Sequence, residues 1–422
     1  MKHILVIGTG RSSSVLIEYL LNYSISNDVF ITVLDQFKNE FLNQFSNFLN
    51  FKTLVFDIHD DKLRHLEIKK SDLIISMLPA RFHTLIAKDC LNYKKNLITA
   101  SYVSEEMKSF HDQAIKADIL MLNEIGLDPG IDHISAMSII DSLKSQNFKI
   151  TSFKSFCGGL IAPDSCDNPW GYKFTWNPRN VVLAGSDGAK YLKNGKLKKI
   201  SYNQVFKNTE SVTIPNYGNF ESYPNRDSLH YQEKYSLHNI HTLVRGTMRN
   251  KGFSSAWDFL VDAGLTSYDK AKKTISKSEF LSRKNKINDK LTLEKINYLD
   301  IFNSDFDSKL SNGENIQNVL ENKWKLRDND KDMIVMQHKF EFDADKNHKR
   351  LLSSMVVIGT DNIRTAMAKT VGLPIFFAAK LILEGKISLR GVRIPVYKEL
   401  YVPILKSLEK EGINFVESIE EI

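Results

Sequence analysis

The opening residues, MKHILVIGTGRSSS, constrain the fold more than any other stretch of the chain. The apolar run HILVIG ends in glycine and leads straight into SVLIEYLLNY, whose apolar residues fall at helical spacing. A buried strand that opens a helix through a glycine turn needs further strands laid beside it, and the sequence supplies them. VFITVLD is rich in β-branched residues and ends in an acid. KTLVFD, DLIISMLP, NLITAS and DILMLNEIG follow, with helix-like segments between them, one of them from about 82 to 93. Strands that alternate with helices at this interval predict an α/β fold with a doubly wound parallel sheet, a Rossmann-type domain over residues 1–130.

From about residue 147 the pattern changes. KITSFKSFCGG, KFTW, VVLAG, SVTIP and MIVMQHKFEF read as longer, partly alternating strands. They predict an α+β substrate and dimerisation domain with a more antiparallel sheet, over 131–250 and 331–400. Residues 251–330 are polar, rich in Lys and Asn, and helical in pattern (WDFLVDAGL, IQNVLENKW), which predicts a helical insertion. The stretch 360–384 predicts a helix interrupted at Gly372-Leu373-Pro374, placed to pack back onto the first domain. A chain of 422 residues is expected to hold two or three domains.

Net charge is +7, but the basic residues are scattered among acidic ones, with no basic helix or aromatic-basic repeat, so no nucleic-acid partner is expected. No apolar run approaches the roughly 20 residues that span a bilayer, and no membrane role is expected. The N-terminus lacks a secretory pattern, and three cysteines in no metal-type spacing argue for a reducing compartment. The expected location is the cytoplasm. No HExxH or similar ligand set is present, so no metal is expected.

The turn Gly8-Thr9-Gly10-Arg11-Ser12-Ser13 sits where a strand opens a helix, the context in which such a turn binds a dinucleotide. Gly8 permits the tight bend, Gly10 lets the backbone approach a pyrophosphate, and the helix N-terminus favours the anion. Ser13 replaces the third glycine of the fingerprint. Asp35 closes the second strand, where an acid holds a ribose 2′-hydroxyl and repels a 2′-phosphate. It also suits a helix N-cap. The expected cofactor is therefore NAD, with NADP possible. Asp57, after the third strand, is placed for the adenine edge. Ser76, Leu78 and Pro79 pass beside the cofactor at the end of the fourth strand.

The bend NEIGLDPGIDH (123–133) gathers Glu124, Asp128, Asp132 and His133 about a Pro-Gly turn just after a predicted parallel strand. In an open α/β sheet ligands bind beyond the carboxyl ends of the strands, so SMLPARFH, ASYVS and this bend should meet there. Asp132 and His133 precede an apolar helix, and Asp132 is expected as its N-cap with His133 structural. Further on come CGGL, NPWGYKFTW, SYPNRDS and VRGTMRNKGF.

Together these long, ordered motifs resemble the glutamate-forming branch of the saccharopine dehydrogenase family, over nearly the whole chain and least from about 265 to 330. The resemblance implies oxidation of saccharopine, a secondary amine joining lysine to a glutarate skeleton. Hydride leaves the carbon beside that nitrogen for NAD(P), and water then opens the imine to L-glutamate and α-aminoadipate semialdehyde, in lysine metabolism. It implies a small-molecule substrate and polar groups near the reacting centre at Asp128, Cys157 and Tyr102. Asp128 can act as base or orient the substrate or the nicotinamide amide. Cys157 is either reactive or buried and inert.

Three substrate carboxylates call for fixed cations, and Arg226, Arg245 and Arg249 are the candidates, with Thr247 between the last two. Ser101 and Tyr102 are placed to hydrogen-bond a carboxylate or the amine. Phe174 is an apolar wall or a core residue. NADP-preferring family members carry Arg just after the second strand, where this chain has Gln36 with Lys38 beyond it, which again favours NAD. A homodimer is expected on base rates. Two rival readings are an imine-forming dehydrogenase of polyamine metabolism, whose substrates carry fewer carboxylates, and a non-catalytic NAD-binding regulator.

Overall fold

The computed structural model describes residues 1–271, 275–302, 306–307 and 309–422. Residues 272–274, 303–305 and 308, all within the predicted insertion, lie outside the described residues. The chain forms two compact units, Met1–Asp141 with Ile363–Asn414, and Ser142–Asn362 with Phe415–Ile422. Residues 363–400, given from sequence to the α+β domain apart from their helix, belong to the first unit.

The first unit is built on strands β1 (Lys2–Ile7), β2 (Val29–Asp35), β3 (Phe51–Val55), β4 (Leu73–Ser76), β5 (Asn96–Thr99) and β6 (Leu120–Leu122). They lie in the order β6-β5-β4-β1-β2-β3, every pair parallel. A seventh strand, Gly391–Arg393, pairs with β6 and was not expected; three residues are too short for a period to show. The core residues of β1 and β4 are fully buried, as expected of a parallel sheet covered on both faces. The chain runs outward from β1 to β3 and then crosses back to β4. The loops after β1 and β4 therefore diverge, and a crevice opens at their carboxyl ends.

The predicted interruption at Gly372-Leu373-Pro374 is absent: one helix runs Ala366–Leu383 with Pro374 inside it. It is long and apolar enough by composition to cross a membrane, but most of it is buried. Thr365 caps it by accepting from the Ala368 N–H, and Phe376 packs edge-on against Tyr19 and Tyr23 of the helix Ser14–Ser26. Arg364 grips Glu18 with two parallel bonds of 3.0 and 3.1 Å. Gly372 serves the contact between the two helices, since a Cβ there would sit 2.7 Å from the backbone nitrogen of Leu16.

The second unit holds β7 (Lys149–Ile161), β8 (Ala189–Lys193), β9 (Lys196–Ile200), β10 (Glu210–Ile214), β11 (Gly218–Pro224), β12 (Arg226–Asp227), β13 (Thr242–Asn250), β14 (Asp332–Ala344), β15 (Asn347–Ile358) and β17 (Phe415–Glu421), the strand of the first unit at 391–393 being β16. The main path is β10-β11-β13-β7-β14-β15-β17, antiparallel except for β13 beside β7. Two expected strands are not there. VVLAG lies at the end of a helix, Pro178–Val182, because Asn177 accepts from the Arg179 N–H and Pro178 takes the first helical position. In KFTW the Phe174 N–H bonds to the Trp324 carbonyl rather than to a ladder.

The helices Phe253–Asp262, Lys277–Lys284, Lys290–Leu299 and Asn312–Lys323 occupy the predicted insertion. They share one core with the sheet. Trp257 and Trp324 are fully buried with Trp170, Tyr172 and Phe253, and Phe253 stacks on Trp257 at 5.5 Å. The segment is thus integral to the unit rather than an appendage.

The Gly372 contact sets two effects against each other. Alanine gains about 1 kcal/mol of helix propensity over glycine, whereas forcing a methyl into a packed contact costs about 1–3 kcal/mol. Gly372→Ala is expected to lower the melting temperature, and an unchanged or higher value would show that the two helices can part without cost.

Candidate functional site

The carboxyl ends of β1 to β6 bring the predicted cofactor residues to one edge of the first unit. Gly8 has φ +102°, and a Cβ on it would lie 3.0 Å from the carbonyl of Met77, just past β4. The dinucleotide-type turn and the end of β4 therefore touch backbone to backbone. A Cβ at Gly10 would meet nothing within 4 Å, so the turn presents open space there. Ser13 precedes the helix Ser14–Ser26 without a side-chain cap, which leaves the helix N-terminus to an outside anion. These features fit a dinucleotide. The hydroxyls of Ser13 and Ser14 donate inward, to the carbonyls of Gly10 and Ile363, so neither faces a phosphate. Ser12 is half-buried, Thr9 half-buried and Arg11 exposed.

Asp35 is tied to its own chain. One carboxylate oxygen accepts from the Thr9 N–H at 2.6 Å and the Thr9 hydroxyl at 2.8 Å, and the other accepts from the Phe37 N–H at 3.0 Å. Asp57 is exposed and accepts from the His59 N–H, while Asp60 caps the next helix. Leu78 is half-buried and Pro79 exposed, both directly past β4.

The bend after β6 is a closed knot. A Cβ on Gly130 would fall 2.0 Å from the Gly126 carbonyl, and one on Gly126 would meet Ala100 at 2.9 Å. The Gly126 N–H bonds to the Pro129 carbonyl, and the Ile131 N–H returns to the Gly126 carbonyl. Asp132 does not precede the helix as expected; it lies in the first turn of Ile131–Ser145 and accepts from the Gly130 N–H at 2.6 Å. His133 and Glu124 form a buried pair at 2.9 Å, and the other Glu124 oxygen accepts from the Val103 N–H, pinning the loop after β5. Asp128 alone among residues 121–137 is not buried, and it accepts from the Tyr102 hydroxyl at 3.0 Å.

The remaining predicted residues lie in the second unit. Cys157 is buried on β7, directly opposite Thr247 of β13 on one side and Met336 of β14 on the other, and Thr247 is in turn opposite Tyr223 of β11. Phe174 lies in the aromatic core, edge-on to Trp324 at 5.4 Å. Arg226 is exposed in a left-handed conformation on β12. Arg245 is buried with its guanidinium 4.2 Å above the Tyr231 ring. Arg249 is buried over the rings of Tyr172 and Phe253 and donates to the Met248 carbonyl. Its Nε meets no acceptor, and the Glu221 carboxylate opposite it on β11 instead accepts from the Gly252 and Ser254 N–H groups. Among the described residues no group of three or more His, Cys, Asp and Glu side chains could hold a metal.

One residue that sequence reasoning passed over is central to the first unit. His83 is 4% exposed, with Nδ1 2.9 Å from the Ser76 hydroxyl and Nε2 2.8 Å from Ser101 and 3.0 Å from Thr99. A lone His after an Ala-Arg-Phe stretch carries no sequence signal; only the folded ends of β4 and β5 reveal its partners.

Burial pushes the His83 pKa down from 6.5 to about 4. Between those values the unfolded chain binds the extra proton and the folded one does not. Stability is therefore level above pH 6.5 from this source and falls as pH drops from 6.5 to 4, by about 3 kcal/mol in all. In denaturant titrations across that range His83→Gln should lose this component, and an identical pH slope in wild type and variant would refute the assignment.

A family model described as "Saccharopine dehydrogenase NADP binding domain" matches residues 4–122, and one described as "Saccharopine dehydrogenase C-terminal domain" matches residues 126–413. The mitochondrial alpha-aminoadipic semialdehyde synthase of Rattus norvegicus is 36% identical over 98% of this chain, which spans about half (47%) of that relative. The saccharopine dehydrogenase [NADP(+), L-glutamate-forming] of Schizosaccharomyces pombe is 33% identical over 99% of each chain. The solved structure of apo saccharopine dehydrogenase (L-Glu forming) from Saccharomyces cerevisiae superposes with a TM-score of 0.88 at 31% identity over the full length of both chains. The NADP in these descriptions runs against the NAD preference read from Asp35 and Gln36. On the fold, the motifs and these matches, the chain belongs to the saccharopine dehydrogenase family.

Proposed function

We propose that this protein oxidises saccharopine with NADP and water to L-glutamate and α-aminoadipate semialdehyde. The observation that carries the reading is the Tyr102–Asp128 pair, held by a glycine-locked bend at the carboxyl edge of the sheet that bears the dinucleotide turn. A bound nicotinamide supplies the hydride acceptor; the chain's own residues bind, orient and handle protons. The substrate amine must be neutral when hydride leaves, and water must lose a proton as it attacks the imine. Asp128 is the carboxylate placed for that traffic, with Tyr102 fixing its orientation. Ser101, Arg226, Arg245, Thr247 and Arg249 are assigned to the substrate carboxylates and amine. Arg249 is the sharpest of these, a buried guanidinium whose Nε has no hydrogen-bond acceptor among the described residues. Cys157, buried in mid-sheet beside Thr247, is assigned to the substrate wall.

NADP is proposed on the relatives' cofactor. The Asp35 carboxylate is occupied by Thr9 and Phe37, so its place at the end of β2 is explained without a ribose. The expected homodimer and cytoplasmic location stay with this reading.

Reduced-nicotinamide absorbance, followed with saccharopine and either dinucleotide, tests it. Turnover with NADP at least equal to that with NAD is expected, and Asp128→Asn should cut kcat by roughly 10²–10³-fold. No turnover from folded, dinucleotide-binding protein would overturn the substrate. Turnover with NAD alone would restore the Asp35 reading.

A further inference from the structure

His83 is left over once the proposed chemistry has been assigned. It opens the helix His83–Tyr93 and its ring touches three hydroxyls, one at the end of β4, one at the end of β5 and one two residues further on. Ser76 and Thr99 are buried, and only Ser101 is partly open. A ring that burial keeps neutral offers one N–H donor and one lone pair.

The direction of each bond depends on which ring nitrogen carries the proton, since all three partners are hydroxyls. Thr99 Oγ1 accepts from the Ser101 N–H at 3.2 Å with one lone pair, which leaves its own proton available to His83 Nε2 at 3.0 Å. With Thr99 donating, Nε2 is the acceptor nitrogen, and Nδ1 carries the proton and donates to Ser76. Ser101 Oγ lies at 2.8 Å from the same Nε2, whose single in-plane lone pair cannot serve two donors equally. Of the two hydroxyls, Ser101 is the one that can turn outward, because Thr99 keeps the ring nitrogen satisfied when it does.

We infer that His83 is a positioning residue that holds the Ser101 hydroxyl as a ready donor to a carboxylate of the substrate, anchored through Ser76 to the end of β4. This rests on the proposed reading of Ser101 as a substrate contact. In the resting protein the Ser101 proton shares His83 Nε2. When a carboxylate oxygen arrives, the proton swings to it and Thr99 takes the full bond to the ring. The exchange loses no hydrogen bond and leaves no buried group unpaired, so the substrate gains nearly the full strength of a charge-assisted bond.

Kinetics on His83→Asn and His83→Gln, with saccharopine as the varied substrate, separate this role from simple packing. Asn reproduces the Nδ1 contact with Ser76 and loses the Nε2 side, while Gln restores a polar group where Nε2 stands. The inference expects His83→Asn and Ser101→Ala each to raise KM about tenfold with kcat changed less than about threefold. Affinity for the dinucleotide, read by fluorescence, should be unchanged, and His83→Gln should recover most of the KM. The double variant His83→Asn with Ser101→Ala should be no worse than either single one. Additive effects, or a loss confined to kcat, would overturn it.

A measurement that needs no turnover guards against variants that do not fold. Nitrogen-15 shifts of His83 in the wild-type protein should report the Nδ1–H form, neutral from pH 8 to 5. The Nε2–H form or a protonated ring would refute the arrangement. Absence of saccharopine turnover in the wild type, with the Nδ1–H form present, would sink the proposed function and with it the substrate role, while the hydrogen-bond arrangement would stand.

Discussion

The contact between Gly8 and the backbone of Met77 fixes the geometry of the dinucleotide turn. A Cβ on Gly8 would crowd the Met77 carbonyl at 3.0 Å, and the positive φ of Gly8 strains any side chain there a second time. The contact places the turn after β1 directly against the end of β4, the two strands whose loops diverge to open the crevice. The Asp35 carboxylate then closes the turn from the other side, through three donors contributed by Thr9 and Phe37. An acid at the end of a second strand thus does mechanical work on the turn itself, whatever it does for a ribose.

The bend NEIGLDPGIDH shows the same economy. Each ionisable group around the Pro-Gly turn is given a separate partner. Asp132 holds the Gly130 N–H, Glu124 holds His133 and the Val103 N–H, and these bonds close a knot in which two glycines meet too closely for any side chain. With the others so bound, Asp128 is left at the surface of the knot, against Tyr102. The carboxylates that shape the bend differ from the one left at its surface, and the difference follows from burial and bond partners rather than residue type.

Period and punctuation made most of the first unit legible. The six strands read from apolar runs are all present, with β16 the one added, because a parallel sheet buried on both faces leaves little choice of residue. Legibility failed where the deciding partner is remote in sequence. Gly372 and Pro374 look like a break until the helix Ser14–Ser26 is laid against them. VVLAG is the exception, a local failure: its strand composition masks the Asn177-Pro178 cap just before it, which sets a helix. The bonds of Asp35 to Thr9, 26 residues away, are equally invisible in the sequence. His83 shows nothing at all, since its three hydroxyls arrive from two strands and a loop.

Arg249 illustrates how a buried cation can be held by rings and a carbonyl rather than by an acid. Removing a guanidinium from water costs several kcal/mol unless an opposite charge accompanies it. Two aromatic faces offset about 0.5–2 kcal/mol each, and the Met248 carbonyl adds one bond. The nearest acid in register, Glu221, would complete the pair, but the first turn of the helix Phe253–Asp262 holds its carboxylate. An internal ion pair would stabilise the unit and silence the cation. The arrangement keeps the aromatic support instead, which fixes the guanidinium in place without an ion pair to Glu221.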